Sequence, residues 1–78
     1  MEHGRVRINL DKLMEEKGFS VKRLSRLADM ERDQIKKYRD QKRARYDADI
    51  LARLCYALEC DISDLLEYIP AKKEEAAQ

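Results

Sequence analysis

Between Arg32 and Arg45 the chain places seven basic residues, Arg32, Lys36, Lys37, Arg39, Lys42, Arg43 and Arg45, against two acids, Asp33 and Asp40. Guanidinium and ammonium groups at this density neutralise phosphate, and both donate to the O6 and N7 acceptors of guanine. Asp33 adds a complementary chemistry, because a carboxylate accepts from cytosine N4. The plainer reading of the same run is a solvated charged face.

Net charge alone points to neither, being only +1 over 78 residues. Its distribution is uneven. Residues 1–46 hold fourteen Lys/Arg against eight Asp/Glu, a balance of +6, whereas residues 47–78 hold three against eight, a balance of −5. One end attracts phosphate and the other repels it.

The basic run needs elements to position it. Ser20 through Ala28 reads as a short helix, Asp29-Met30-Glu31 as a three-residue link, and Arg32 through Arg39 as a second helix. Leu24, Met30 and Ile35 have the spacing of a helix-turn-helix, whose second helix enters a DNA groove.

Around this unit the pattern predicts five helical segments without an internal repeat. Val6 and Ile8 alternate with Arg7 and Asn9, so residues 6–9 read as a short strand or an extended arm. A first helix is predicted from Asn9 to Lys17, with Leu10, Leu13 and Met14 on one face and Gly18 as its left-handed stop. Ser20 caps the second helix, whose inner stripe is Val21, Leu24 and Ala28. Asp47 caps a fourth, carrying Ile50, Leu51, Leu54, Cys55 and Leu58. Asp61 and Asp64 resemble a capping box for a fifth, which carries Ile62, Leu65 and Leu66 and ends at Pro70. Residues 1–70 are expected to form one domain and 71–78 a flexible tail.

Gly18-Phe19-Ser20, Leu24-Ser25, Ile35, Leu51, Leu54, Ala57-Leu58 and Asp64-Leu65-Leu66 follow one another in the order of a known domain. With its RINLDKLMEEKG opening and LARLCYALECDISDLLEYIP ending, the stretch from Val6 to Pro70 resembles the Cro/phage-repressor-type (XRE-like) helix-turn-helix domains. The resemblance implies an all-α, five-helix lambda-repressor-like bundle containing a helix-turn-helix, with a short N-terminal strand or arm. It implies a sequence-specific regulator of transcription that binds double-stranded DNA, a repressor acting as a dimer, cytoplasmic and encoded by a bacterium or phage. The recognition helix would be 32–39. Carried over to this sequence, Arg32, Asp33, Gln34, Lys36 and Lys37 are the base-reading candidates. Ser20, Lys22, Arg39, Lys42, Arg43, Arg45 and Tyr46 are the phosphate-binding ones. Packing against the fourth helix is the alternative role for Tyr46, and exposure on an outward helix face that for Lys36 and Lys37.

The sequence departs from the family pattern at four places. Val21 stands where a phosphate-contacting Gln is frequent, Asp29 where the turn usually has Gly, and Glu31 where Ser or Thr usually caps the recognition helix. Glu31 and Asp33 put negative charge at the end of the helix that would enter DNA. Leu27, on the rim of the second helix, is apolar where a polar residue is more usual. A helix-turn-helix scaffold used mainly for protein–protein interaction is therefore the alternative function, and a dimer contact also accounts for Leu27.

Catalysis lacks its residues. The only histidine is His3 near the chain start, and no serine or cysteine is placed with a base. No glycine-rich phosphate loop exists. Cys55 and Cys60 lack the two further ligands of a structural zinc site and read as small reduced core residues, so no metal or cofactor is expected. No apolar run approaches the length of a membrane span, and Met1 to Arg7 lacks the apolar stretch of a secretory signal, which points to the cytosol. No sensor domain is appended, so no small-molecule ligand is expected. For a homodimer, two surfaces stand out: residues 6–10 pairing edge to edge with a twin, and Tyr68 with Ile69. The latter pair is read first as closing the core over the first helix.

Overall fold

The computed structural model describes residues 3–42 and 45–71, so the expected tail lies outside the described residues from position 72 onward. Its elements run β1 (Arg5–Ile8), α1 (Leu10–Lys17), α2 (Val21–Ala28), α3 (Arg32–Arg39), α4 (Ala48–Leu58), α5 (Ile62–Leu65) and β2 (Leu66–Ile69). Helices α2 and α3 are the helix-turn-helix, and the five helices with a small strand pair match the expected bundle and arm.

The core is built from one stripe of each element. Ile8, Leu10, Leu24, Ile35, Leu54, Leu58 and Leu65 are essentially inaccessible to solvent. Each such side chain contributes about 1.5 to 3 kcal/mol of burial energy, and Leu24, Met30 and Ile35, from α2, the turn and α3, all belong to this core. Tyr38 completes the buried face of α3, three residues beyond Ile35. Its ring lies 5.9 Å from that of Tyr46, a tilted contact joining α3 to the chain entering α4.

Four helices end in the same way. After α1, α2, α3 and α4 the chain turns through a left-handed residue, Gly18, Asp29, Gln41 and Glu59 respectively. The next N–H then reaches back five residues: Phe19 to Met14, Met30 to Ser25, Lys42 to Lys37 and Cys60 to Cys55, at 2.8 to 3.1 Å. This Schellman stop satisfies carbonyls that the helix leaves open. Gly18 and Asp29 are the two stops that local sequence announces. Gln41 and Glu59 hold the same conformation against a cost of roughly 1 to 2 kcal/mol each.

The predicted fifth helix is shorter than its pattern. Only Ile62–Leu65 is helical, and Leu66 turns to φ −114°, ψ 143°. Leu66–Ile69 then pairs antiparallel with β1 in the register Arg5↔Ile69, Val6↔Tyr68, Arg7↔Glu67 and Ile8↔Leu66. An unsatisfied strand edge on β1 outcompetes helical propensity here, since Tyr and Ile fit a pleated ribbon well. β2 thus occupies one edge of residues 5–8. One expectation is corrected here: Tyr68 does not close the core, being 62% exposed. Gly4, at φ 84°, is required by the ribbon: a Cβ there would stand 2.5 Å from the Ile69 carbonyl.

Candidate nucleic-acid interface

With Ile35 and Tyr38 turned inward, a period of 3.6 residues directs Asp33, Lys36 and Lys37 to the opposite side of α3, with Arg32 and Gln34 at its margins. All five are exposed. Asp33 occupies the middle of this face, one turn from Lys36 and Lys37. Among the described residues neither lysine is held in an ion pair. Gln34 is partly committed, because its side-chain oxygen accepts the N–H of Glu31 at 3.4 Å. Glu31 thus caps α3 through its partner as half of a capping box, a firmer helix start than its type suggests.

The flanks of the face are positioned by capping. Ser20 Oγ accepts the Arg23 N–H at 3.1 Å at the start of α2, which leaves its hydroxyl proton for an anion. Lys22 is exposed one residue inside the helix. Beyond α3, Lys42 and Arg45 are exposed, and Tyr46 is half-buried, packed against the core. Arg43 lies outside the described residues. Arg39 is differently placed from the others: its guanidinium holds Asp40 through Nε at 2.9 Å and Nη2 at 3.2 Å. The hydrogen bond to Asp40 raises the pKa of Arg39, and the same bond holds the Asp40 carboxyl below its usual range. A phosphate at Arg39 must therefore compete with a neighbouring carboxylate.

Two braces that sequence reasoning missed hold this face. Gln41 Nε2 donates to the Ile8 carbonyl at 2.8 Å, tying the end of α3 to β1 across 33 positions. Arg53 on α4 donates through Nη1 to the Asp29 carbonyl at 2.7 Å and through Nε to Asp49 at 2.9 Å. The turn is closed from within as well, since Ser25 Oγ donates to the Met30 carbonyl. No local signal announces a contact between residues 24 or 33 apart. Asp29 itself adopts the left-handed conformation at φ 56°, so the turn survives without glycine.

A family model describing the Cro/C1-type HTH DNA-binding domain matches residues 9–71. The chain belongs to this family. The match spans α1 through β2 and so includes both helices of the helix-turn-helix. Comparison with curated proteins finds no match. As a Cro/C1-type domain the chain is a DNA-binding module. No helix among the described residues is long and apolar enough to cross a membrane. Cys55 and Cys60 are free thiols and half-buried rather than fully internal. Burial, with Cys55 beside it, pushes the Cys60 thiol up to about 11.

Proposed function

We propose that this domain is a sequence-specific transcriptional regulator, a repressor that binds double-stranded DNA as a homodimer, inside a bacterial or phage-infected cell. Residues 1–70 form the binding unit and 71–78 its tail. The carrying observation is the outward face of α3, where Arg32, Asp33, Lys36 and Lys37 are all exposed on a helix anchored by Ile35 and Tyr38. Arg32, Lys36 and Lys37 donate to guanine edges, and Asp33 accepts from cytosine. Ser20, Lys22, Lys42, Arg43, Arg45 and Tyr46 hold the flanking phosphates, with Arg39 joining them when Asp40 yields.

The second reading, a scaffold mainly for protein–protein interaction, is favoured by Glu31 and Asp33 at the entering end of α3 and by Leu27, 46% exposed. Selection from random duplex DNA at physiological salt separates the two. An enriched palindrome with half-sites about 34 to 36 Å apart supports the dimeric regulator. Failure to enrich any sequence, with binding no tighter than to bulk DNA, supports the scaffold.

A further inference from the structure

Two adjoining hollows run along the outer side of α2 and the corner between α4 and α5. They share Leu27, Ala57 and Glu59 and therefore form one continuous groove. At one end stand Lys17 and Arg23; at the other, Asp61 and Asp64. Leu27, in the shared part beside Ala57 and Glu59, is 46% exposed, and Tyr56, in the hollow with the acidic end, is 80% exposed. A lone exposed leucine is ordinary, but a leucine contiguous with a bare tyrosine in a groove of opposite charged ends is a contact surface.

We infer that this groove is the homodimer interface, covered by the same groove of a second copy. The charge order selects that occupant. A nucleic acid or an acidic segment meets Glu59, Asp61 and Asp64, and a basic segment meets Lys17 and Arg23. A second copy turned about a two-fold axis near Leu27 lays each basic end over the partner's acidic end, twice, and brings Leu27 against its twin. That is the self-complementarity an isologous interface requires. Arg23 is already held for the purpose, its guanidinium 4.5 Å above the Phe19 ring, which leaves its outer edge for a carboxylate. Tyrosine and arginine are also the residue types that most often dominate association energy. The inference deepens the proposed function by giving its dimer a surface, and it stands apart from residues 6–10 and from Tyr68.

Sedimentation of the full chain without DNA, over a concentration series, tests it. The wild type should dimerise, and Leu27→Asp and Tyr56→Ala should each weaken association by about tenfold or more. Both sites are exposed, so an unchanged circular dichroism spectrum and melting temperature should accompany the loss. Arg23→Glu and Glu59→Arg should each weaken the dimer, and their combination should restore it. A chain that remains monomeric up to about 1 mM overturns the inference. So does a dimer indifferent to Leu27→Asp and Tyr56→Ala, or a charge pair that fails to rescue. A dimer that obeys these variants yet selects no DNA sequence leaves the interface standing and removes the regulator reading instead.

Discussion

Arg53 Nη1 lies 2.7 Å from the carbonyl oxygen of Asp29, so α4 directly grips the turn between α2 and α3. The carboxylate of Asp29 adds little, at 3.7 Å and almost fully exposed. A cation here also faces the C-terminal end of α2, where the helix dipole is negative. A residue far along the chain therefore braces the turn that joins α2 to α3.

Arg53→Gln should lower DNA affinity while leaving its salt dependence unchanged, because Arg53 acts on the turn and not on phosphate. Its stability cost should be about 1 kcal/mol. Titration at several salt concentrations checks this; a slope reduced by about 0.9 would mean that Arg53 itself meets a phosphate.

Asp29→Gly should be neutral or stabilising by up to about 1 kcal/mol, since glycine accepts φ 56° freely and the carbonyl held by Arg53 remains. Gln41→Gly relieves the same strain but loses the tie to Ile8, and should be the less stable of the two. Denaturant unfolding of both variants gives the comparison.

Lys42→Ala with Arg45→Ala should weaken binding to all DNA sequences alike and flatten the log–log salt slope by about 0.9 for each phosphate left unneutralised. A weakening confined to one sequence would contradict a phosphate role for this loop.

Asp33→Ala should change base preference at one position of the site, by about 1 to 3 kcal/mol of discrimination. Selection experiments with the variant read this directly, and unchanged selectivity would show that the carboxylate contacts no base.

Acid should dissolve a clamp at the other end of the domain. Arg7 donates to Asn9 at 2.6 Å and grips Asp11 through both terminal nitrogens, at 2.9 and 3.3 Å. Burial pushes the Asp11 carboxyl up. The bond from Arg7, the Lys12 N–H and the Arg7 charge outweigh it, holding Asp11 below its ordinary 3.8. A lowered native pKa stabilises above the unfolded value and ceases to do so as pH falls through the native one. Wild type should therefore exceed Asp11→Asn in thermal stability at neutral pH, by less than about 1 kcal/mol for so exposed a pair. The difference should shrink as pH falls below 3.8 and vanish once Asp11 is protonated in the native state as well. A gap that persists in acid would rule out ionisation of Asp11 as its cause.

The amino-acid sequence by itself determined the helix-turn-helix, because its signals are local. The 3.6-residue stripes, the Ser20 and Asp47 caps and the left-handed stops at Gly18 and Asp29 depend on residues no more than one or two turns apart. The outward face of α3 was legible for the same reason, as was the exposure of Leu27. Only the tertiary structure decided the rest. Leu66–Ile69 became a strand because β1, some sixty positions earlier, offers an edge. Arg53 and Gln41 became braces because packing brings distant carbonyls to them. The opposed charges of the α2–α4 groove lie on separate elements and meet only when the core closes. Periodicity records which face of an element is buried; it does not record which distant backbone group will need a partner.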